Sequence, residues 1–173
     1  MSNLYLVTGP AGVGKSSISE ALASRFKKSA VVEGDTIYNQ IVGGYIPAWK
    51  EGNHLELFWE LSMMNIQFYL DRGYDVVFNY IFNKDSLKKI VNNTYCENIK
   101  FIVLMTDEET LLKRDAERPE DCQMKERCLT LLKSFRQKGF EEKFILETTN
   151  LTINQSVDAI INDNRFIINQ GEN

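Results

Sequence analysis

The stretch Gly9-Pro-Ala-Gly-Val-Gly14-Lys15-Ser16 decides the fold of this chain. It fits the pattern G-x-x-x-x-G-K-S/T, in which a glycine-rich turn joins a strand to a helix and holds phosphate groups. Its surroundings match this pattern, because the apolar run Leu4-Tyr-Leu-Val7 predicts a buried strand before it. Residues 15–26 carry apolar side chains on one face, which predicts a helix after it.

Phosphate chemistry explains the residue types in this loop. Glycine adopts positive φ easily and leaves room for the backbone to surround an anion, so successive amides form a nest of donors. The helix that follows adds partial positive charge at the same point. The lysine reaches the β- and γ-phosphates, and the serine hydroxyl can coordinate Mg²⁺. The predicted nucleotide contacts are Gly9, Gly12, Val13, Gly14, Lys15, Ser16 and Ser17.

Short apolar runs alternate with helical patterns along the chain, which predicts βα units around a parallel sheet. The expected fold is α/β: a three-layer, five-stranded parallel sheet flanked by helices, in one domain spanning residues 1–173. The expected strands are residues 3–8, 30–33, 74–81, 98–105 and 143–148. The expected helices are residues 15–26, 55–72, 85–91, 124–138 and 155–162. A further helix is expected to begin at a capping box at residues 106–109 and to run towards Arg118. The helix at 55–72 is apolar all round, which predicts that it is covered on most sides.

The composition excludes several classes of protein. The 173 residues carry a net charge of −4, without the basic excess that binding to nucleic acid or an anionic membrane usually requires. The longest apolar runs are far shorter than the roughly 18 residues of a membrane-spanning helix. Three cysteines, Cys96, Cys122 and Cys128, show no Cys-x-x-Cys spacing, which argues against a zinc site or a disulfide framework. We expect a cytoplasmic protein whose partner is a small molecule.

Four pieces of the sequence carry a family resemblance. They are the loop at residues 9–16, Glu33-Gly-Asp35 after the second strand, Val76-Val-Phe-Asn-Tyr80 before a polar turn, and the segment from Leu111 to Arg127. Together they resemble the small bacterial P-loop kinases similar to gluconokinase, shikimate kinase and chloramphenicol phosphotransferase, especially chains described as gluconate-kinase-like. The resemblance spans most of the chain. It implies a five-stranded core with a short lid at about residues 117–127, and the use of ATP and Mg²⁺.

Two acidic residues follow the second predicted strand. Residues two apart on a strand point the same way, so Glu33 and Asp35 are expected to project together towards the crevice beside the loop. A carboxylate there can accept a hydrogen bond from a substrate hydroxyl and take its proton. The resemblance implies that role for Asp35, and we expect Glu33 to assist Mg²⁺ beside Ser16 through a metal-bound water. The alternative for Asp35 is an N-cap, since residues 36–39 look like a first helical turn.

The third strand departs from the family pattern at Asn79. Many of the related kinases have an aspartate here that supports Mg²⁺. Asparagine is neutral, although its carbonyl can still accept a hydrogen bond from metal-bound water. This departure brings into question either how Mg²⁺ is held at the site or how efficiently the reaction is catalysed. Asn79 is alternatively a substrate contact or the end of the strand.

Arginines around the predicted lid complete the catalytic candidates. A guanidinium group stabilises the charge that spreads over the oxygens of a transferring phosphoryl group. Arg114 and Arg118 are four residues apart and share one helix face. By resemblance they close over the nucleotide phosphates, and Arg127 helps to bind the substrate or the γ-phosphate. The alternative is a solvated face with ordinary surface pairs, Arg114–Asp115 and Glu117–Arg118.

The acceptor site is the least defined part of the sequence. The resemblance places it in the segment that holds Tyr38, Trp49, Glu51, His54, Trp59 and Tyr80, and it places the adenine near residues 148–151. A single histidine at a helix start is typically a cap or a surface residue, which is our interpretation of His54. Trp59 is expected in the core, whereas Trp49 fits either packing or stacking against a substrate.

Three functions are compatible with these residues. The first is a kinase that transfers the γ-phosphate of ATP to a hydroxyl of a small metabolite or antibiotic. The second is a nucleotide-binding regulatory or interaction module that has lost efficient chemistry, which Asn79 motivates. The third is a nucleoside or nucleotide kinase. The sequence identifies neither the acceptor nor the oligomeric state.

Overall fold

Five parallel strands form one sheet in the computed structural model, which describes residues 2–120 and 123–168. The strands are β1 (Asn3–Thr8), β2 (Ser29–Glu33), β3 (Asp75–Asn79), β4 (Asn98–Met105) and β5 (Ile145–Glu147). Their order across the sheet is β2-β3-β1-β4-β5, and every neighbouring pair is parallel. The prediction of an α/β fold with a five-stranded parallel sheet is confirmed.

Helices connect the strands and flank the sheet. They are α1 (Lys15–Ala23), α2 (Gly34–Tyr38), α3 (Leu55–Leu70), α4 (Lys84–Asn93), α5 (Glu108–Ala116), α6 (Glu126–Arg136) and α7 (Ile153–Asn162). Parallel neighbours need such crossovers, because a tight hairpin can join only antiparallel strands. In the part of the chain that the structure describes, no helix has the length and apolar character needed to cross a membrane.

The central strand β1 and its neighbour β4 lie in the core of the protein. Leu4 and Leu6 of β1, and Ile99 and Phe101 of β4, are fully buried. Such continuous apolar strands are typical of a parallel sheet covered on both faces. The pairing register sets Glu33 of β2 opposite Asn79 of β3, at the carboxyl ends of both strands. The sheet therefore brings these two polar residues to one edge, where the loop after β1 also lies.

The start of α5 differs from the sequence prediction. Its N-cap is Asp107, whose carboxylate accepts a hydrogen bond of 2.7 Å from the amide of Thr110. The predicted capping box beginning at Thr106 is therefore wrong by one residue. Thr106 is buried, and its hydroxyl lies 3.2 Å from the hydroxyl of Thr149, so tertiary contact with the β5–α7 connection occupies it instead.

The surroundings of α3 also differ from the prediction. Phe58 and Ile66 are buried, but Leu57, Met64 and Phe68 on the outer face are exposed. The expectation that this helix is covered on most sides is wrong, because its apolar composition does not correspond to burial on every face.

Elsewhere, Cys96 and Cys128 do not form a disulfide, and Cys122 lies outside the described residues.

Candidate active site

The loop after β1 has the backbone geometry of an anion cradle. Gly9, Gly12 and Gly14 all have positive φ. A Cβ atom on Gly9 would lie only 2.6 Å from the carbonyl oxygen of Leu104, so the turn approaches β4 so closely that only glycine fits. Gly14 is the N-cap of α1, which leaves the first amides of this helix available to an anion.

A cavity of about 470 Å³ lies beside this loop. The predicted site residues that line it are Gly12, Val13, Gly14, Lys15, Ser16, Ser17, Asp35, Asn79, Arg114 and Arg118. Three other predicted site residues, Gly9, Glu33 and Arg127, are not part of its lining. The fold thus brings together residues from the loop after β1, the start of α1, α2, β3 and α5 that are far apart in sequence, at the edge where ligands bind in parallel sheets.

Lys15 is a cation that lines this cavity. Its Nζ atom donates hydrogen bonds to the carbonyl oxygens of Gly9 and Pro10, both at 3.0 Å. Burial lowers the pKa of Lys15 to about 8, and the nearby Asp35 carboxylate only partly opposes this effect. The hydrogen-bond partners of the ammonium group are neutral carbonyls, so a phosphate anion that enters the cavity gains a strong electrostatic partner.

Ser16, which follows Lys15, and Glu33 form a hydrogen-bonded pair of oxygen groups. The Ser16 hydroxyl donates to Oε1 of Glu33 at 2.5 Å, and the Thr36 hydroxyl donates to Oε2 of the same carboxylate at 3.3 Å. Magnesium in phosphate-transfer sites is typically bound by one or two protein oxygens together with substrate phosphates and water. The hydroxyl and carboxylate present here fit that requirement.

Asp35 is the acidic residue that faces the cavity. It is the second residue of α2, and Glu33 occupies the N-cap position, so the alternative that Asp35 caps this helix is wrong. Burial raises the pKa of Asp35, the Glu33 carboxylate adds to this effect, and the Lys15 ammonium opposes it. A carboxylate with a raised pKa is a better proton acceptor, which is the property that a general base needs.

Asn79 lies at the end of β3 between the loop and Glu33. Its side chain is only 4% exposed, and its Nδ2 atom has no hydrogen-bond partner among the described residues. An unpaired buried amide is costly in a folded protein, so such groups point to a ligand or water partner. Asn79 also lines the cavity, which makes an incoming molecule a possible partner for this amide.

The two lid arginines have different surroundings. Arg114 donates to the carbonyl of Val13 at 3.1 Å and to the hydroxyl and carbonyl of Thr148 at 3.0 and 2.9 Å. It therefore ties the loop to the β5–α7 connection, and the predicted surface pair with Asp115 is not formed. Arg118 contacts Asp115 through one nitrogen at 3.3 Å and also lines the cavity.

Solved structures share this architecture. A sugar kinase from Janibacter sp. HTCC2649 has a TM-score of 0.66 at 16% identity, with 91% of each chain covered. The tunicamycin resistance protein of Deinococcus radiodurans has a TM-score of 0.68 at 17% identity, covering 92% of this chain and 94% of that one. A gluconokinase from Sinorhizobium meliloti 1021 has a TM-score of 0.61 at 18% identity, covering 92% and 91%. The chain has the P-loop kinase fold. No protein-family model and no curated protein matches the sequence.

Within this fold, an aromatic cluster lies beside the turn at Gly34. The Tyr80 ring lies 4.4 Å from that of Phe58 and 5.6 Å from that of Trp59, centroid to centroid. Trp59 is buried, so its prediction as a core residue is confirmed. Tyr80 also covers Gly34, where a Cβ atom would lie 2.5 Å from the ring. This contact fixes the turn that separates Glu33 from Asp35.

The outer part of the predicted acceptor segment is open to solvent. Trp49 is 72% exposed, and the guanidinium of Arg127 lies 5.5 Å from the centre of its ring. This pair joins the loop before α3 to the first turn of α6. His54 precedes α3 without a side-chain cap, and its Nε2 lies 3.0 Å from the carbonyl oxygen of Gly44. Glu51 is exposed.

Asp115 is a residue of this P-loop kinase fold whose environment the sequence did not predict. Its position between two arginines favours a surface ion pair, yet the side chain is buried. Its carboxylate accepts hydrogen bonds from the amides of Met124 and Lys125, nine and ten residues further along the chain. No local pattern signals these contacts, because they depend on where the chain returns after the lid.

Proposed function

We propose that this chain is a kinase that transfers the γ-phosphate of ATP to a hydroxyl of a small molecule, with Mg²⁺. The observation that carries the proposal is the meeting of Lys15, Ser16 and Asp35 at a single cavity, with the Glu33 carboxylate hydrogen-bonded to Ser16 beside it. Phosphoryl transfer needs a cradle for the phosphates, oxygen ligands for the metal and a group that receives the proton of the acceptor. Each of these elements has a residue here.

Each of these residues has a separate role in the reaction. The loop amides and Lys15 bind the β- and γ-phosphates and hold the γ-phosphorus in position for attack. As the acceptor oxygen bonds to phosphorus, Asp35 takes the hydroxyl proton, and the electron pair of the broken bond remains on the β-phosphate of ADP. Arg118, from the edge of the cavity, stabilises the charge on the transferring group. Arg114 holds the loop and the base-binding side together.

Ser16 and Glu33 are the residues that would hold Mg²⁺, and the ion would supply charge neutralisation for the phosphates. Glu33 pairs with Asn79 across the β2–β3 register. We infer that Glu33 provides the negative charge that Asn79 lacks. The unpaired Asn79 amide is then available to the acceptor, together with Asp35 and, at the open end, Arg127.

The test is acceptor-dependent release of ADP from MgATP. The panel contains polyols, sugar acids, shikimate, nucleosides, nucleotides and hydroxylated antibiotics. We expect at least one acceptor to support turnover, and Asp35→Asn to lower kcat by roughly 10²–10⁴-fold while nucleotide binding is retained. Asp85→Asn, at an exposed position of α4, is the matched control and should behave as wild type. Wild-type turnover in Asp35→Asn would contradict the assignment of the base.

Asn79 supports a second candidate, a nucleotide-binding module without efficient chemistry. This candidate predicts tight MgATP binding, no turnover across the whole panel, and no gain in Asn79→Asp. The kinase proposal predicts turnover with the native asparagine. Acceptance of a nucleoside or nucleotide alone would identify the third possibility, a nucleoside or nucleotide kinase.

A further inference from the structure

Asp115 holds together the two ends of the lid. It belongs to the last turn of α5, and its side chain is only 2% exposed. Oδ2 accepts hydrogen bonds from the amides of Met124 at 2.9 Å and Lys125 at 2.7 Å, and Oδ1 accepts from Met124 at 3.1 Å. The chain leaves α5 after Asp115 and returns at Met124, so this carboxylate closes the segment between them.

The backbone at Lys125 depends on this carboxylate. Lys125 has a φ of 50°, and it is the one non-glycine residue with positive φ among residues 2–120 and 123–168. Such a conformation is strained and persists only where its surroundings fix it. The surroundings do so on both sides, because Asp115 accepts from the Lys125 amide and the Cys128 thiol donates to the Lys125 carbonyl at 2.7 Å.

The carboxylate is also ionised in its buried position. Burial alone raises the pKa of Asp115, but the hydrogen bonds from Met124, Lys125 and Arg118 outweigh it and hold the pKa below its ordinary value. Each of these three donors is best satisfied by a charged acceptor. Replacement by a neutral amide of the same shape therefore removes the charge and one of the two accepting oxygens, which weakens these hydrogen bonds without leaving a cavity.

The same carboxylate connects the lid to the reacting end of the cavity. Oδ1 holds one nitrogen of Arg118, a residue that lines the cavity and whose charge contributes to the low pKa of Lys15. Oδ1 is also near the phosphate loop, since a Cβ atom on Gly12 would lie 3.9 Å from it. Asp115 thus stands between the loop, the lid return and the arginine.

We propose that Asp115 is a positioning residue that orients Arg118 towards the transferring phosphoryl group and anchors the lid return at Met124 and Lys125. This inference rests on the proposed kinase function, because it gives Arg118 a phosphoryl group to stabilise. Asp115 itself touches neither nucleotide nor acceptor. Its contribution is to fix the guanidinium geometry before substrate binds, which lowers the cost of reaching the transition state.

The experiment compares Asp115→Asn with Asp107→Asn, a matched substitution on the same helix. Asp107 caps α5, a position where asparagine is as favourable as aspartate, so this control should keep wild-type properties. In Asp115→Asn we expect hydrogen exchange of the Met124 and Lys125 amides to accelerate roughly tenfold or more. We expect kcat to fall roughly tenfold or more, while the Kd of MgADP stays within about threefold.

A double-mutant cycle shows whether Asp115 acts through Arg118. If it does, Asp115→Asn lowers kcat no further in the Arg118→Ala background. The same loss in both backgrounds, or wild-type kcat in Asp115→Asn, overturns the positioning role. A joint loss of MgADP affinity and thermal stability also overturns it, since that result indicates a merely structural residue. Failure of the wild-type chain to phosphorylate any acceptor refutes the proposed function instead, and unchanged exchange at Met124 and Lys125 refutes the anchor in either case.

Discussion

Lys15 should make the ligand-free protein less stable than a variant without its charge. The ammonium group is buried against two carbonyl groups, and its pKa is lowered from 10.5 to about 8. The folded state therefore disfavours the charged form that dominates at neutral pH. We expect Lys15→Met to raise the free energy of unfolding while it abolishes stabilisation by MgATP.

The magnitude follows from the pKa. The shift in the pKa of Lys15 corresponds to roughly 3 kcal/mol of destabilisation at pH 7. Loss of the two hydrogen bonds to Gly9 and Pro10 offsets about 1–2 kcal/mol of the gain. The net stabilisation is about 1–2 kcal/mol, which raises Tm by about 2–8 °C for a chain of this length.

The assay is urea unfolding of both proteins between pH 7 and pH 10.5. A lysine whose pKa is lower in the folded than in the unfolded state destabilises the fold by the full amount at pH values below the folded pKa. This destabilisation disappears as the pH rises through the unfolded pKa. The advantage of Lys15→Met should therefore be constant up to about pH 8 and then shrink towards pH 10.5. Lys27→Met, at an exposed position, serves as control. A variant that is less stable than wild type at pH 7, or a difference independent of pH, would refute the reasoning.

Two further substitutions test other parts of the molecule. Glu33→Gln should raise the Mg²⁺ concentration for half-maximal turnover roughly tenfold, as measured by Mg²⁺ titration. Binding of the metal-free nucleotide should be retained. An unchanged Mg²⁺ requirement would exclude Glu33 from the metal site. Lys100→Met should behave oppositely to Lys15→Met. Burial lowers the pKa of Lys100 as well, but its ammonium donates three hydrogen bonds, to the carbonyls of Ile160, Ile161 and Asp163 at the C-terminal end of α7, where the helix dipole favours a cation. We expect it to lower stability by about 1–3 kcal/mol in urea unfolding with unchanged MgATP affinity, and a more stable variant would contradict this account.

Local signals were sufficient for the fold and the phosphate loop. Alternating apolar runs and helical patterns gave the five strands, and the G-x-x-x-x-G-K-S spacing placed Lys15 and Ser16 where a cavity exists. The motif carries this information because its chemistry is contained in eight successive residues. Element boundaries were less accurate where tertiary contacts decide them, as at Thr106, whose hydroxyl meets Thr149.

The parts that failed depend on contacts between distant segments. Arg114 binds Val13 and Thr148, and neither partner is visible from the spacing of the arginines. Asp115 looked like one half of a surface pair because its amide donors are nine and ten residues further along the chain. One apolar face of α3 is exposed, although the sequence predicts that it is buried. The prediction is wrong because the composition of a helix shows how hydrophobic it is but not which elements pack against it.

The contact between Gly34 and Tyr80 has a consequence for how this site tolerates change. Position 34 carries no charge and does not line the cavity, yet even a methyl group there would displace an aromatic ring that is packed on Phe58 and Trp59. Homologues or laboratory-evolved variants that acquire a new acceptor should therefore diversify the rim around Trp49 first. The packing of Tyr80 on Gly34 therefore fixes the spacing between the carboxylates of Glu33 and Asp35. A longer spacing requires a rearrangement of the aromatic cluster that Tyr80 forms with Phe58 and Trp59.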